Sequence, residues 1–491
     1  MDSPLEIELK LEVDPGDVER LAGVGPLAQC RGAAARLVSV YFDTPELDLH
    51  DTGFSLRIRT SGRDRIQTVK ADQGGAGLFV RGEWERAIKS KAPIIDHDSG
   101  PLREKIGNDT LERVQQLFLT DIKRTTYKID GGNAIFELAV DQGEIRTNKR
   151  RQQLCELEIE LESGSSQALF DLVRSLDEEV PLRISVQSKA ERGYRLLQEA
   201  EKQSVKAEPI TLDKDGDVAD AFCAIARSCM RQFRLNEEVL LETGAAEPLH
   251  QARVGLRRLR TAFSLFKPML VDDLRAEMLS GELHWLAAEL GKVRNLDVLV
   301  AKTEGALRDE LVAARAKTFG HVRMELASAR TRILMIDLTE WLAQGDWRTR
   351  PPNPDLPRGD VRSFARCLLE EYRRRFKRRG RGLAGLSDSR RHKVRIEAKK
   401  LRYATEFFAS LYGKKKVRKR HKSFLKAMEE LQDHLGELND MVVGPQVVAD
   451  HGIGEKLSSP GRRERERLLD RAEDGYDSVI RADRFWSGGG S

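Results

Sequence analysis

Two segments of this chain carry one charge pattern, and a chain that writes such a pattern twice is expected to fold both copies alike. LHQARVGLRRLRTAFSLF (249–266) places His250, Arg253, Arg257 and Arg260 where RHKVRIEAKKLRYATEFF (391–408) places His392, Arg395, Lys399 and Arg402. The offsets are 0, +3, +7 and +10 in both copies. At about 100° per residue they fall within an arc of roughly 80°, so each quartet is a cationic stripe on one helix face. Leu259/Leu401, Ala262/Ala404 and Phe266/Phe408 recur with them. ELGKVRNLDVL (289–299) and HLGELNDMVV (434–443) then repeat a Leu-Gly pair ahead of an Asn-Asp type cluster, so the duplicated unit spans several helices.

A single basic stripe is ordinarily a solvated face. A histidine heading both stripes is harder to assign to solubility, and one titratable donor among fixed cations suits phosphate oxygens. Arg258 and Lys400 sit about 100° off the stripe and are expected only to flank it. Arg294, Asn295, Asn439 and Asp440 read as capping or helix-pairing residues. The dense runs YRRRFKRRGR (372–381) and KKKVRKRHK (414–422) are either solvated faces or an extended phosphate track. Nucleic acid would satisfy the same electrostatics, but neither a recognition motif nor a clear base-stacking platform accompanies the charge.

At 491 residues the chain is too long for one core. Residues 1–203 hold 29 Lys/Arg against 36 Asp/Glu, whereas 204–491 hold 55 against 43, so an acidic module is joined to a basic one. Cys30, Cys155, Cys223, Cys229 and Cys367 form no CxxC pair and no zinc spacing, which suits a reducing cytoplasm. MDSPLEIELK lacks the marks of a signal peptide, and no apolar run reaches membrane-spanning length, so a soluble cytoplasmic protein without a membrane partner is expected. The terminal SGGGS carries no weight.

The acidic half alternates with period two. Glu6, Glu8, Lys10 and Glu12 point one way from Leu5 onward, while Ile7, Leu9, Leu11 and Val13 point the other. Glu156, Glu158, Glu160 and Glu162 alternate likewise with Leu157, Ile159 and Leu161. FSLRIRT adds Arg57 and Arg59, IQTVK adds Lys70, and LFVRGEWERAI adds Arg81, Glu83 and Glu85; Arg124 with Lys128 and Glu137 with Asp141 follow. Closing such strands into a barrel would turn the charged faces inward and leave the apolar ones for helices expected near 110–119 and 165–176. Clustered carboxylates need a cation, and Mg²⁺ or Mn²⁺ accepts a few carboxylates while sharing its shell with phosphate.

EIELK (6–10) matches the ExExK signature of CYTH domains, the triphosphate tunnel metalloenzymes. LRIR, TVK, RGEWE, FELAVDQGEI, CELEIELESG and SKAERGYRLL (188–197) follow in the family's order. Residues 1–203 therefore resemble that family, which implies an eight-stranded antiparallel tunnel binding triphosphate with divalent metal. The resemblance implies Glu6, Glu8, Glu158 and Glu160 as metal carboxylates, with Asp141 joining them or orienting water. It implies Lys10, Arg57, Arg59, Lys70, Arg81, Arg124 and Lys189 as the phosphate cradle, with Arg192 a weaker member and Glu83 either a ligand or a partner of a tunnel arginine. Glu6, Glu8, Lys10, Asp141 and Lys189 are the expected catalytic set.

The polar, Pro- and Gly-containing stretch 204–217 marks a linker, and DWRTRPPNPDLPRGD (346–360) a break between repeats. Between and beyond them the apolar period is helical, predicting an all-α domain of two pseudo-symmetric bundles, about 218–343 and 361–483, with a tail from 484. The paired HxxRxxx[RK][RK]LR motifs make residues 218–483 resemble a CHAD domain, a helical module associated with polyphosphate. That resemblance implies that His250, Arg253, Arg257, Arg260, His392, Arg395, Lys399 and Arg402 line a cationic groove, and it suggests association with polyphosphate granules.

The expected activity is metal-dependent hydrolysis of a terminal phosphoanhydride of inorganic triphosphate or a related chain. A non-catalytic polyphosphate-binding protein is the second expectation; adenylate cyclisation, which some CYTH members perform, and nucleic-acid binding rank below it.

Overall fold

The period-two segments become neighbouring strands of one antiparallel sheet. In the computed structural model, which describes residues 8–71, 77–79, 82–96, 101–349, 360–454 and 461–487, strand β1 (Glu8–Glu12) pairs with β9 (Arg151–Gly164). Glu8 lies opposite Glu160, Lys10 opposite Glu158 and Glu12 opposite Glu156. Leu9, Leu11, Leu157 and Ile159 are fully buried on the other face. Helix α1 (Ser166–Glu179) supplies buried Leu169, Phe170, Val173 and Leu176. The usual barrel is inverted, with charge on one face of these strands and oil on the other.

The remaining strands are β2 (Ala33–Asp43), β3 (Phe54–Ser61), β4 (Asp64–Ala71), β5 (Leu78–Phe79), β6 (Glu83–Ala87), β7 (Gln115–Asp130), β8 (Ala134–Arg146) and β10 (Arg183–Ile184). Their order is β10-β1-β9-β8-β7-β2-β3-β4-β6, with β5 also on β1. β5 and β6 close the structure. They lie within one short stretch, yet β5 pairs with β1 while β6 pairs with β4, so both edges of the sheet are covered from the same segment. Counting β5 and β6 as one broken strand and setting aside two-residue β10 leaves the eight strands of a tunnel.

The helix expected at 110–119 is not there. Only Asn108–Leu111 is helical, and β7 begins at Gln115 because Phe118, Thr120 and Ile122 continue a period-two burial pattern. SKAERGYRLL does form a helix, α2 (Lys189–Leu197), started by a capping box in which Ser188 and Glu191 satisfy each other's backbone N–H. Gly193 on α2 packs against Phe118, where a Cβ would lie 2.0 Å from the ring.

From Val218 onward the described residues form mainly helices: α3 (Val218–Thr243), α4 (Ala246–Leu265), α5 (Leu274–Val300), α6 (Gly305–Ala327), α7 (Ala329–Gln344), α8 (Val361–Arg379), α9 (Asp388–Phe407), α10 (Lys415–Asp450) and α11 (Arg462–Arg481). By packing, the first compact unit is 1–204 with 237–243 and 326–345, and the second is 205–236, 244–325 and 346–491. Within the second, α4 packs on α5 and α9 on α10, so both copies of the charge motif lie on helices in equivalent pairs. Among the described residues no helix is long and apolar enough to cross a membrane.

Candidate functional site

Strand parity brings the charged side chains of the first unit to one cavity of about 480 Å³. Among the described residues its lining holds six cations, Lys10, Arg57, Arg59, Lys70, Arg124 and Lys189, and six carboxylates, Glu8, Glu83, Glu85, Glu137, Glu158 and Glu160. A highly charged anion would thus meet a wall that is formally neutral, and would need cations of its own.

Lys189 heads α2 and reaches into three carboxylates. Its Nζ lies 2.8 Å from Asp141 and 2.9 Å from Glu158, and it also bonds Glu156. Oxygens of Asp141, Glu156 and Glu158 come within 4.8 Å of one another, near enough to share a cation. The shared cation is the Lys189 ammonium. Glu158 is further paired with Lys10 and with Arg124, and Arg124 makes a two-pronged pair with Asp141 at 2.7 and 2.6 Å. Burial would raise the Glu158 carboxyl, but Lys10, Lys189 and Arg124 hold it well below its ordinary value. Burial raises Glu156, and its Lys189 and Lys10 neighbours do not cancel that. Glu156 Oε2 is buried without a hydrogen-bond partner. Lys189 is raised, its burial outweighed by Asp141, Glu156 and Glu158.

Glu160 sits between Glu8 on β1 and Glu137 on β8 in register, which puts three carboxylates in a row across three strands. Like charges directly opposite on a sheet repel, and a hard divalent ion with oxygen ligands offsets that repulsion. Glu8 is itself paired with Lys10 at 3.0 Å, so the row and the triad around Lys189 both already meet protein cations. On the opposite wall Lys70 pairs with Glu83 at 2.7 Å, and Arg57 lies 3.7 Å from Glu83 and 3.9 Å from Glu85. Burial, then Arg57, push Lys70 down to about 8, against the pull of Glu83. Burial, with Arg57 and Arg124 beside it, pushes Arg59 down to about 10.

The second unit holds a groove of about 880 Å³ lined by His250, Arg257, Arg395, Lys399 and Arg402 from α4 and α9. Arg257 donates to the Tyr403 hydroxyl at 2.7 Å, and Arg402 is paired with Glu406 at 2.8 Å. α10 lends the groove Asp433, Glu437 and Asp440. Burial and then Arg257, Arg395 and Arg253 push Lys399 down to about 6. Burial and Arg294 push His250 down to about 4.

A family model for the CYTH domain matches residues 4–194, and one for the CHAD domain matches residues 224–449. The chain carries a CYTH domain followed by a CHAD domain. The chain is 32% identical over 195 residues to an inorganic triphosphatase of Haemophilus influenzae, a match covering 39% of this chain and 54% of that one, so the chain spans about half the length of this relative. The solved CHAD domain from the plant Ricinus communis is similar at 27% identity, TM-score 0.45, over 57% of this chain and 93% of that one. A Hippeastrum protein whose structure is described as revealing a dominant triphosphatase activity is similar at 20% identity, TM-score 0.32, over 39% of this chain and 95% of that one.

Within the CYTH domain, Glu8, Lys10, Arg57, Arg59, Lys70, Arg124, Glu158, Glu160 and Lys189 all meet in the cavity. Glu6 and Arg81 lie outside the described residues. Asp141 is 1% exposed and is not among the lining residues; it holds Arg124 and Lys189 from behind. Arg192 is buried and paired with Glu12 at 2.5 Å, also off the cavity. Glu137 and Glu156 were visible in the alternation, but only the β8–β9 register shows what stands opposite them.

In the CHAD domain three stripe residues leave the large groove. Arg253 donates to the Ala287 carbonyl at 3.1 Å and lies over Gly291, where a Cβ would be 2.5 Å from its Nη1. Arg260 reaches His284 at 2.5 Å. His392 bonds Asn439 at 3.1 Å beside a smaller cavity of about 280 Å³. Arg258, 2% exposed, bonds Gln232 at 2.7 Å with its guanidinium 5.3 Å from the Phe407 ring centre, and Lys400 bonds Ser264 at 2.8 Å.

Proposed function

We propose that the CYTH domain, residues 1–203, hydrolyses a terminal phosphoanhydride of inorganic triphosphate or a related chain, and that the CHAD domain, residues 218–483, holds polyphosphate. The observation that carries this reading is the cavity lining itself: among the described residues, six cations matched one for one by six carboxylates. Arg57, Arg59 and Lys70 on β3 and β4 would grip phosphate oxygens from one side, and Lys10, Arg124 and Lys189 from the other. Fixed donors of this kind stabilise charge as it develops on equatorial and leaving oxygens.

Glu8 and Glu160, with Glu6 and Glu158 as further candidates, would hold Mg²⁺ or Mn²⁺, which when bound neutralises phosphate charge and makes nearby water a better nucleophile. Asp141 acts as a positioning residue, since its two partners are cavity cations. In the CHAD groove, Arg257 and Arg395 would bind phosphates by counterion exchange, so affinity falls with salt. The protein is then cytoplasmic and found with polyphosphate where granules form.

A substrate panel tests this. Inorganic triphosphate, long-chain polyphosphate, ATP and thiamine triphosphate would be compared for phosphate release with Mg²⁺, Mn²⁺ and EDTA, and ATP also for cyclic AMP. Release that needs metal and favours a triphosphate is the expected result. Polyphosphate bound without release would make the chain a binding protein, and cyclic AMP would make it a cyclase.

A further inference from the structure

The stretch SVKAEPITL, which follows the CYTH domain in sequence, has the composition of a tether but is held like part of a site. Val205 is pinned at both backbone groups by one side chain: its N–H donates to Asn236 Oδ1 at 2.9 Å, and Asn236 Nδ2 donates to its carbonyl at 2.8 Å. Asn236 itself is fully buried. The other end is fixed where Leu212 N–H donates to Ser410 Oγ at 3.0 Å, with Ile210 and Leu212 buried. Fixing a backbone segment costs conformational entropy, which the bonds to Asn236 and Ser410 and the burial of Ile210 and Leu212 offset here.

Between the pins, Lys206, Ala207, Glu208 and Pro209 are exposed, and all four line the same groove as Arg257, Arg395 and Lys399. Glu208, the only carboxylate between the pins, lies 3.5 Å from Arg231, so its charge is met by a cation of α3. Lys206 adds its ammonium to the groove lining from outside the two repeated helices.

We propose that residues 205–212 are a strap forming one wall of the polyanion groove, and that Lys206 binds the same phosphate chain as the α4 and α9 cations. The proposal rests on the reading of the groove as a polyphosphate site. A bound chain would touch α4, α9 and the strap together, and would order the segment between the pins. Neither copy of the charge motif contains any of these strap residues.

The test uses the full-length protein and long-chain polyphosphate. Affinity is measured for wild type, Lys206→Glu, Lys214→Glu and Lys399→Glu, with melting temperatures to check folding, and deuterium exchange of the 205–212 amides is followed with and without polyphosphate. Lys214 serves as the control because it lies on the same stretch outside the groove lining. The strap predicts slower exchange on binding, and a loss of at least about threefold for Lys206→Glu that Lys214→Glu does not share. Unchanged exchange together with wild-type affinity in Lys206→Glu, while Lys399→Glu binds weakly, overturns the strap and leaves the groove standing. Failure of the wild type to bind polyphosphate overturns both.

Discussion

Two partly buried lysines with lowered pKa values, Lys70 and Lys399, carry the residue-scale expectations of the proposed function. Lys70 is charged below pH about 8 and neutral above it, because burial and Arg57 lower its value. The pH profile of kcat/KM reports the free enzyme. It should therefore fall for triphosphate above pH 8, and Lys70→Arg should flatten that limb because a guanidinium stays charged. An unchanged limb in the arginine variant would remove Lys70 from phosphate binding. Lys399, pushed down to about 6, is mostly neutral in the free groove at pH 7. A phosphate alongside it favours the ammonium, so binding should take up about one proton near pH 7.5. Calorimetry in buffers of different ionisation enthalpy measures that uptake, and Lys399→Met should lose it. Heats that do not depend on buffer would contradict the assignment.

Elements show how far sequence alone could reach. The tunnel strands were legible because period two fixes the face of every side chain once a strand is recognised, so Lys10, Arg57, Arg59, Lys70 and Glu158 could all be assigned to one lining. What stands across from each residue was not legible, since register depends on turns and bulges; Glu137 beside Glu160 and Asp141 behind Arg124 are register facts. The helical stripes were legible as faces, but the neighbouring helix decides where a long side chain ends. Arg253 turns onto α5 because Gly291 leaves room for it, and His392 turns to Asn439. The strap read as a linker because its pins, Asn236 and Ser410, lie far away in sequence. Close approach is tested at Gly193. Gly193→Ala would drive a methyl into the Phe118 ring, whereas Gly436→Ala meets nothing within 4 Å. Overpacking of this kind typically costs about 1–3 kcal/mol, so the first should lower the melting temperature by several degrees, and the second should leave it unchanged or raise it slightly because Ala is favoured over Gly inside a helix. Equal melting points would show that α2 does not pack on β7 as described.

At the scale of the whole molecule, an acidic CYTH module and a basic CHAD module would each address phosphate chains. The CYTH cavity balances its cations with carboxylates, which suits a substrate that arrives with metal. The CHAD groove sets the cations of α4 and α9, with Lys206, against Glu208, Glu406 and the acids of α10. On the proposed function, turnover and retention fall to separate sites. The most direct test of that assignment is phosphate release from inorganic triphosphate at neutral to alkaline pH, for wild type, Glu8→Gln and Lys399→Glu, each with Mg²⁺, with Mn²⁺ and with EDTA. The account predicts metal-dependent release that falls by about 100-fold or more in Glu8→Gln, with its melting temperature kept, and survives in Lys399→Glu. Full activity in Glu8→Gln, or release that EDTA does not stop, would contradict it.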